Sequence, residues 1–216
     1  MTDTVYETLA TYISATNEPN AAVDGAVTDA SEFGLPVVDP VIGQLLASFA
    51  AALGAGEHTS AVVVSPTAHI PGSFILQGLG STGSLTCIDP EAENQRRAKE
   101  FFRQEGIAAH RLRFLPSRPL EVLGRLAPAS YSLIYADIRP TDMVAFINGA
   151  LPLLKDRGVI VLGGALLDGT VADPTRRDRD TAAAREADEF VRSLEAVSLT
   201  RLPLGGGTTI IARTAQ

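Results

Sequence analysis

Hydrophobic positions along the chain change their period once. In the first 56 residues they recur at helical spacing. Val5, Leu9, Tyr12 and Ile13 mark a first helix that stops near Thr16-Asn17-Glu18-Pro19-Asn20. A second helix is expected over 20–33, closed by Gly34. A third follows Asp39-Pro40, an N-cap with proline at the first helical position, and carries Ile42, Leu45, Leu46 and Phe49. From Ser60 onward, continuous apolar runs of strand length alternate with helical segments. The runs cover 61–64, 84–88, 111–115, 131–136 and 158–162, with helices expected near 72–79, 91–105, 118–126 and 141–154.

Strands that are apolar on both faces and separated by helices predict a parallel sheet covered on both sides, an α/β doubly wound architecture. A last helix is expected over 181–194. The chain then closes with runs at 197–203 and 208–213 joined across Leu204-Gly205-Gly206-Gly207, a hairpin that places an antiparallel strand at one sheet edge. The pattern reads as one domain, with residues 1–56 a helical arm and 57–216 the sheet-bearing core. Ligands of such sheets bind beyond the carboxyl ends of the strands, where strand order reverses. The residues to watch are therefore 65–72, 89–91, 116–118, 137–139 and 163–168.

Charge narrows the partners. With 18 Lys and Arg against 25 Asp and Glu, the net charge is −7, which argues against a nucleic-acid backbone as ligand. The densest basic cluster, Arg176-Arg177-Asp178-Arg179-Asp180, is half neutralised by its own acids and reads as a solvated loop entering a helix. The single cysteine, Cys87, sits in an apolar run, which points to a buried strand residue in a reducing compartment. The start, MTDTVYETLA, lacks the features of a signal peptide, and no apolar stretch reaches membrane-span length, so a cytoplasmic address is expected.

Several segments in order resemble one family. They are Gly34-Leu35-Pro36-Val37 before Gly43-Gln44-Leu45-Leu46, then Leu85-Thr86-Cys87-Ile88-Asp89 with Glu93-Asn94-Gln95, and Glu121-Val122-Leu123. Next come Tyr131-Ser132-Leu133-Ile134-Tyr135-Ala136-Asp137 and Leu153-Leu154-Lys155-Asp156-Arg157-Gly158. Leu167-Asp168-Gly169-Thr170-Val171-Ala172-Asp173-Pro174 and Leu202-Pro203-Leu204-Gly205 complete the set. Together they look like the class I S-adenosylmethionine-dependent O-methyltransferases of the catechol and caffeoyl-coenzyme A type, in an actinobacterial-looking version. The resemblance implies a Rossmann-like seven-stranded sheet, S-adenosylmethionine as cofactor, a small-molecule hydroxyl as acceptor, and a homodimer built partly through the N-terminal helices.

Residue by residue, the resemblance is uneven. Asp89 stands where the family places the acid that accepts hydrogen bonds from the cofactor ribose, although Asp-Pro-Glu also reads as a helix cap. In the first loop, Val64 replaces the family's acid and Ser65-Pro66-Thr67-Ala68-His69-Ile70-Pro71 replaces its glycines. Ser65, Thr67 and Gly72 remain as cofactor contacts there, and two prolines remove backbone donors. Ser117 and Arg118 occupy the adenine end, where the family usually carries Asp; arginine can stack or hold a phosphate but cannot accept. Metal-dependent members hold a divalent cation with an Asp after the fourth strand and an Asp-Asn pair after the fifth. Asp137 matches the first, whereas Gly163 and Gly164 offer no side-chain oxygen, so no metal is expected.

For chemistry, Asp137 and His69 are the titratable candidates to take the acceptor's proton, and Asp137 is also a candidate cofactor contact. His58 and His110 read as surface residues, and Tyr135 as core. The expected activity is metal-independent O-methyl transfer with weak cofactor binding. The alternative is a degenerate homologue acting as a binding module. A nicotinamide-dependent oxidoreductase is disfavoured, because no G-x-G-x-x-G occurs in 65–72.

Overall fold

A computed structural model describes residues 4–18, 20–54 and 59–215, without the side chain of Tyr6. His58 and the arm–core boundary at 56/57 lie outside the described residues. The arm supplies α1 (Val5–Thr16), α2 (Ala21–Glu32) and α3 (Pro40–Leu53). Each starts on a side-chain cap: Thr4 in a reciprocal capping box with Glu7, Asn20 accepting from Val23 N, and Asp39 accepting from Val41 N ahead of Pro40.

The core then alternates: β1 (Ser60–Val64), α4 (His69–Leu79), β2 (Ser84–Ile88), α5 (Ala92–Gln104), β3 (Leu112–Leu115) and α6 (Pro119–Val122). After these come β4 (Tyr131–Ala136), α7 (Pro140–Ala150), β5 (Leu154–Leu162), α8 (Arg179–Ser193), β6 (Val197–Leu202) and β7 (Thr208–Arg213). The seven strands lie in the order β3-β2-β1-β4-β5-β7-β6. β1 to β5 are mutually parallel, and β7 runs antiparallel to both β5 and β6, the hairpin expected from the glycine turn. This is the Rossmann-like doubly wound sheet of the class I methyltransferases. Strand order reverses between β1 and β4.

Two apolar layers sandwich the sheet. One gathers Ile42, Leu46, Ile75, Leu85, Phe102 and Tyr135 under α2–α5. The other gathers Ile134, Met143, Phe146, Ile147, Ile160 and Val191 under α6–α8. From Leu133 to Ala136, successive β4 residues alternate between the layers, as a strand's period of two requires. Cys87 is fully buried, and burial pushes its thiol up to about 12, which leaves it inert at neutral pH. No helix among the described residues is long and apolar enough to cross a membrane.

Several local expectations need correction. The helix expected over 141–154 ends at Ala150, because Pro152 follows and turns Leu151–Leu153 into a 3₁₀ segment. β5 consequently begins at Leu154, four residues before its apolar run, with a register irregularity against β4 between Tyr131 and Leu133. The helix expected over 118–126 is a single turn followed by a 3₁₀ turn, Leu123–Arg125. Arg111 precedes β3, its guanidinium donating to the carbonyls of Gly83 (2.7 Å) and Gly80. α1 is helical as its spacing predicts, yet Val5, Leu9, Tyr12 and Ile13 are exposed rather than packed.

Candidate functional site

The carboxyl ends of β1, β2 and β4 open into a cavity of about 530 Å³ at the point where strand order reverses. Val64 and Ser65 leave β1, Asp89 leaves β2 and Asp137 leaves β4, and all four line it. Pro36 of the arm and Gly206 of the hairpin loop close it from the other side. Sequence reasoning assigned no site role to these last two, because neither carries chemistry; only tertiary packing brings them here.

Asp89 is 7% exposed. Its Oδ1 accepts from Glu91 N at 2.7 Å and from Asn94 Nδ2 at 3.2 Å, while Gln95 Nε2 donates to its backbone carbonyl at 3.1 Å. Oδ2 receives no hydrogen bond from the described residues. The cap and the ligand-binding readings of this acid are therefore compatible, since each can use a different oxygen. Burial raises the Asp89 carboxyl above its ordinary value, and the two hydrogen bonds partly offset that.

Asp137 is held by its backbone, whose N–H donates to Val64 O at 2.9 Å. Burial alone lifts its carboxyl from 3.8 to about 6, with no cation among the described residues near enough to compensate. Such a group is a carboxylate at neutral pH but a stronger base than an ordinary aspartate.

A second chamber of about 430 Å³ adjoins the first and shares Pro36, Asp137, Gly163, Gly164, Asp168 and Gly206 with it. Its remaining wall includes Val37 and Val38 of the arm, Ile42 of α3, and Tyr135. The loop after β5 is tied to the hairpin loop by Gly164 N to Gly205 O (3.0 Å) and Asp168 N to Gly206 O (3.1 Å). Leu167, Asp168 and Gly169 take positive φ values of 47°, 52° and 83°, turning the chain sharply enough to put Asp168 on the rim.

The other expected contacts are dispersed. Thr67 is buried, and its hydroxyl donates to Pro36 O at 2.7 Å, fastening the arm to the first loop rather than lining the cavity. Gly72 is a packing glycine: a Cβ there would meet Leu85 Cδ2 at 2.7 Å. Arg118 is exposed and lines a neighbouring cavity of about 580 Å³ that shares Pro90, Pro119 and Ile138 with the first, whereas Ser117 lines neither.

His69 does not stand in the loop at all. It opens α4, is 6% exposed, and packs on Phe101 at 5.2 Å between ring centroids, facing a groove between α2 and α5. Burial lowers it to about 4, so it is neutral, and it lies on the wrong side of α4 to reach the Asp137 chamber. As a proton acceptor in this site it is corrected. His110 is exposed, as expected. No group of three or more His, Cys, Asp or Glu among the described residues is placed to hold a metal ion.

Comparison with known proteins gives a consistent picture. The O-methyltransferase family profile matches residues 74–214. A Mycolicibacterium vanbaalenii protein that carries the name of an O-methyltransferase is 36% identical over 194 residues, covering 90% of this chain and 84% of that one. A Mycolicibacterium smegmatis protein of similar name is 34% identical over 207 residues, covering 96% and 97%. Among solved structures, a Corynebacterium glutamicum protein superposes with a TM-score of 0.94 at 48% identity, covering 99% of both chains. The O-methyltransferase TomG of Streptomyces achromogenes, solved with S-adenosylmethionine, shares the fold at a TM-score of 0.84, 22% identity and 96% coverage of both chains.

Proposed function

Because the chain belongs to the O-methyltransferase family, we propose that it is an S-adenosylmethionine-dependent O-methyltransferase acting on a small-molecule hydroxyl without a metal. The observation that carries this reading is the joint placement of Asp89 and Asp137 in one cavity at the strand-order reversal, with a second chamber opening beside Asp137.

The residues fit the cofactor's adenosine half better than its amino-acid half. Asp89 has a carboxylate oxygen free to accept from ribose hydroxyls, and Ile88, Pro90 and Ile138 offer apolar surface beside it. At the β1 end, Val64 and Pro66 line the wall with neither a charge nor a backbone donor on the proline. When bound, S-adenosylmethionine supplies an electrophilic methyl group. The protein's own part is to align the acceptor and remove its proton. Asp137 faces both cavities, has no ion-pair partner among the described residues, and is basic enough to take a hydroxyl proton as its oxygen becomes the nucleophile.

Two further parts of the reading concern assembly and location. The exposed Val5, Leu9 and Tyr12 of α1, at 79%, 55% and 66%, support a homodimer formed partly through the arm. One buried, free cysteine supports a cytoplasmic address.

The test is calorimetry with S-adenosylmethionine, its demethylated product and adenosine. Saturable binding of the first two is expected. Absence of binding by all three at millimolar concentration would leave the competing reading, a degenerate homologue, which the apolar Val64–Pro66 wall favours.

A further inference from the structure

Beside the carboxylates of Asp137 and Asp168, the second chamber is lined by a tyrosine of the central strand. Tyr135 belongs to the central strand, flanked in register by Val63 on β1 and Val161 on β5, and only 2% of it is exposed. Its ring completes the apolar layer beneath α2–α5, a task phenylalanine would do equally well. Its hydroxyl reaches the chamber that Asp137 also lines, and no described residue hydrogen-bonds to it. The described residues therefore leave that hydroxyl open to the chamber, free to donate to a group that enters it.

The space around that hydroxyl is reserved. A Cβ at Gly163 would stand 2.6 Å from Tyr135 Oη, closer than any side chain tolerates. Glycine at 163 therefore keeps both the hydroxyl's position and its access to the chamber. Val37, Val38 and Ile42 give the surrounding wall its apolar part, and the hydroxyl of Thr208, which also lines it, is already spent on Leu204 O at 3.0 Å.

We propose that Tyr135 is an acceptor-binding residue: its hydroxyl donates a hydrogen bond to the oxygen that is to be methylated and holds that oxygen beside Asp137. This rests on the methyl-transfer reading above and adds a residue to it. The division of labour is fixed by chemistry. Asp137 as carboxylate can only accept, so it receives the acceptor's proton; Tyr135 donates to a lone pair of the same oxygen and keeps its own proton throughout. In the transfer, the acceptor oxygen's other lone pair forms the bond to the methyl carbon as the carbon–sulfur bond breaks toward sulfur, leaving a neutral thioether.

The experiment uses the whole protein without cofactor and two probes, 4-nitrocatechol and nitrobenzene, which differ in their hydroxyls. Calorimetry should show the parent binding 4-nitrocatechol more tightly. Tyr135→Phe should weaken 4-nitrocatechol about threefold to tenfold, the worth of one neutral hydrogen bond, and leave nitrobenzene unchanged. Gly163→Ala, which crowds the hydroxyl without removing it, should produce the same selective loss. Equal weakening of both probes in the two variants, no change in either, or a parent with no preference for 4-nitrocatechol would overturn the proposal. Cofactor calorimetry is read separately. A protein that keeps the hydroxyl preference yet binds no cofactor retains the Tyr135 site and loses the methyl-transfer reading.

Discussion

Tyr135 and Gly163 occupy one volume between them: the tyrosine hydroxyl sits where a side chain at 163 would begin, 2.6 Å from the position of its Cβ. This has a consequence for metal chemistry. The two residues after β5 that could have faced Asp137 are Gly163 and Gly164, without side-chain oxygens, and a carboxylate at 163 would have to displace the tyrosine. One carboxylate from Asp137 is too few ligands for a hard divalent cation. Cofactor affinity and turnover should therefore be unchanged by chelator and by added magnesium. Loss on chelation that magnesium restores would reveal a ligand set outside these residues.

Asp137 should set the acid limb of the pH profile. Its carboxyl lies at about 6, so the basic form needed to take a proton grows as pH rises through that value. With any accepted hydroxyl substrate, kcat/KM should climb between about pH 5 and 7 and then level. Asp137→Asn should lower it at least a hundredfold, the lower bound for losing a positioned base. A profile flat from pH 5 to 7 would remove Asp137 as the base.

The same shift predicts a stability cost. The folded-state pKa is above the unfolded value of 3.8, so the contribution of Asp137 is most favourable below that value and is lost as pH rises through about 6. Asp137→Asn should consequently be more stable than the parent at pH 7, by about 1–3 kcal/mol. At pH 3 the two should unfold alike. Urea titrations at both pH values measure this directly, and a variant less stable at pH 7 would contradict it.

For Asp89, the two carboxylate oxygens separate capping from binding. Asp89→Asn keeps an oxygen for Glu91 N but loses the charge, and Asp89→Ala loses both. Cofactor binding should weaken in each, by about 1.5–3 kcal/mol for the alanine variant, while thermal stability should fall mainly in alanine. Undiminished affinity in both variants would reduce Asp89 to a helix cap.

The first loop should make cofactor binding lopsided. Val64 and Pro66 line the cavity where the family resemblance would put the cofactor's charged amino-acid end, and a missing charge-assisted contact costs about 1.5–3 kcal/mol. S-adenosylmethionine is expected to bind little more tightly than adenosine. A preference of a hundredfold or more for the whole cofactor would mean that backbone groups of this loop replace the missing acid.

The order of elements was legible along the chain, because strand and helix periods are local properties. β2, β4 and the closing hairpin follow the apolar runs and the glycine turn closely. Asp89 and Asp137 were legible too, since strand ends in a parallel sheet face one side whatever the details of packing. What local pattern could not decide is which neighbours a residue meets. His69 and Asp137 look equally suited to proton transfer in sequence, yet α4 begins at His69 and turns it into the core on the α2–α5 side. Tyr135 reads as core in an apolar strand, and its ring is core; only the bare Gly163 on the adjacent strand end lets its hydroxyl reach a chamber. Pro36 and Gly206 enter the site from segments about 170 residues apart, through the contacts of the arm with the first loop and of the hairpin with the loop after β5. Sequence determines the backbone plan through short-range periodicity. The site is decided by long-range packing, because cavities form where distant elements fail to fill space between them.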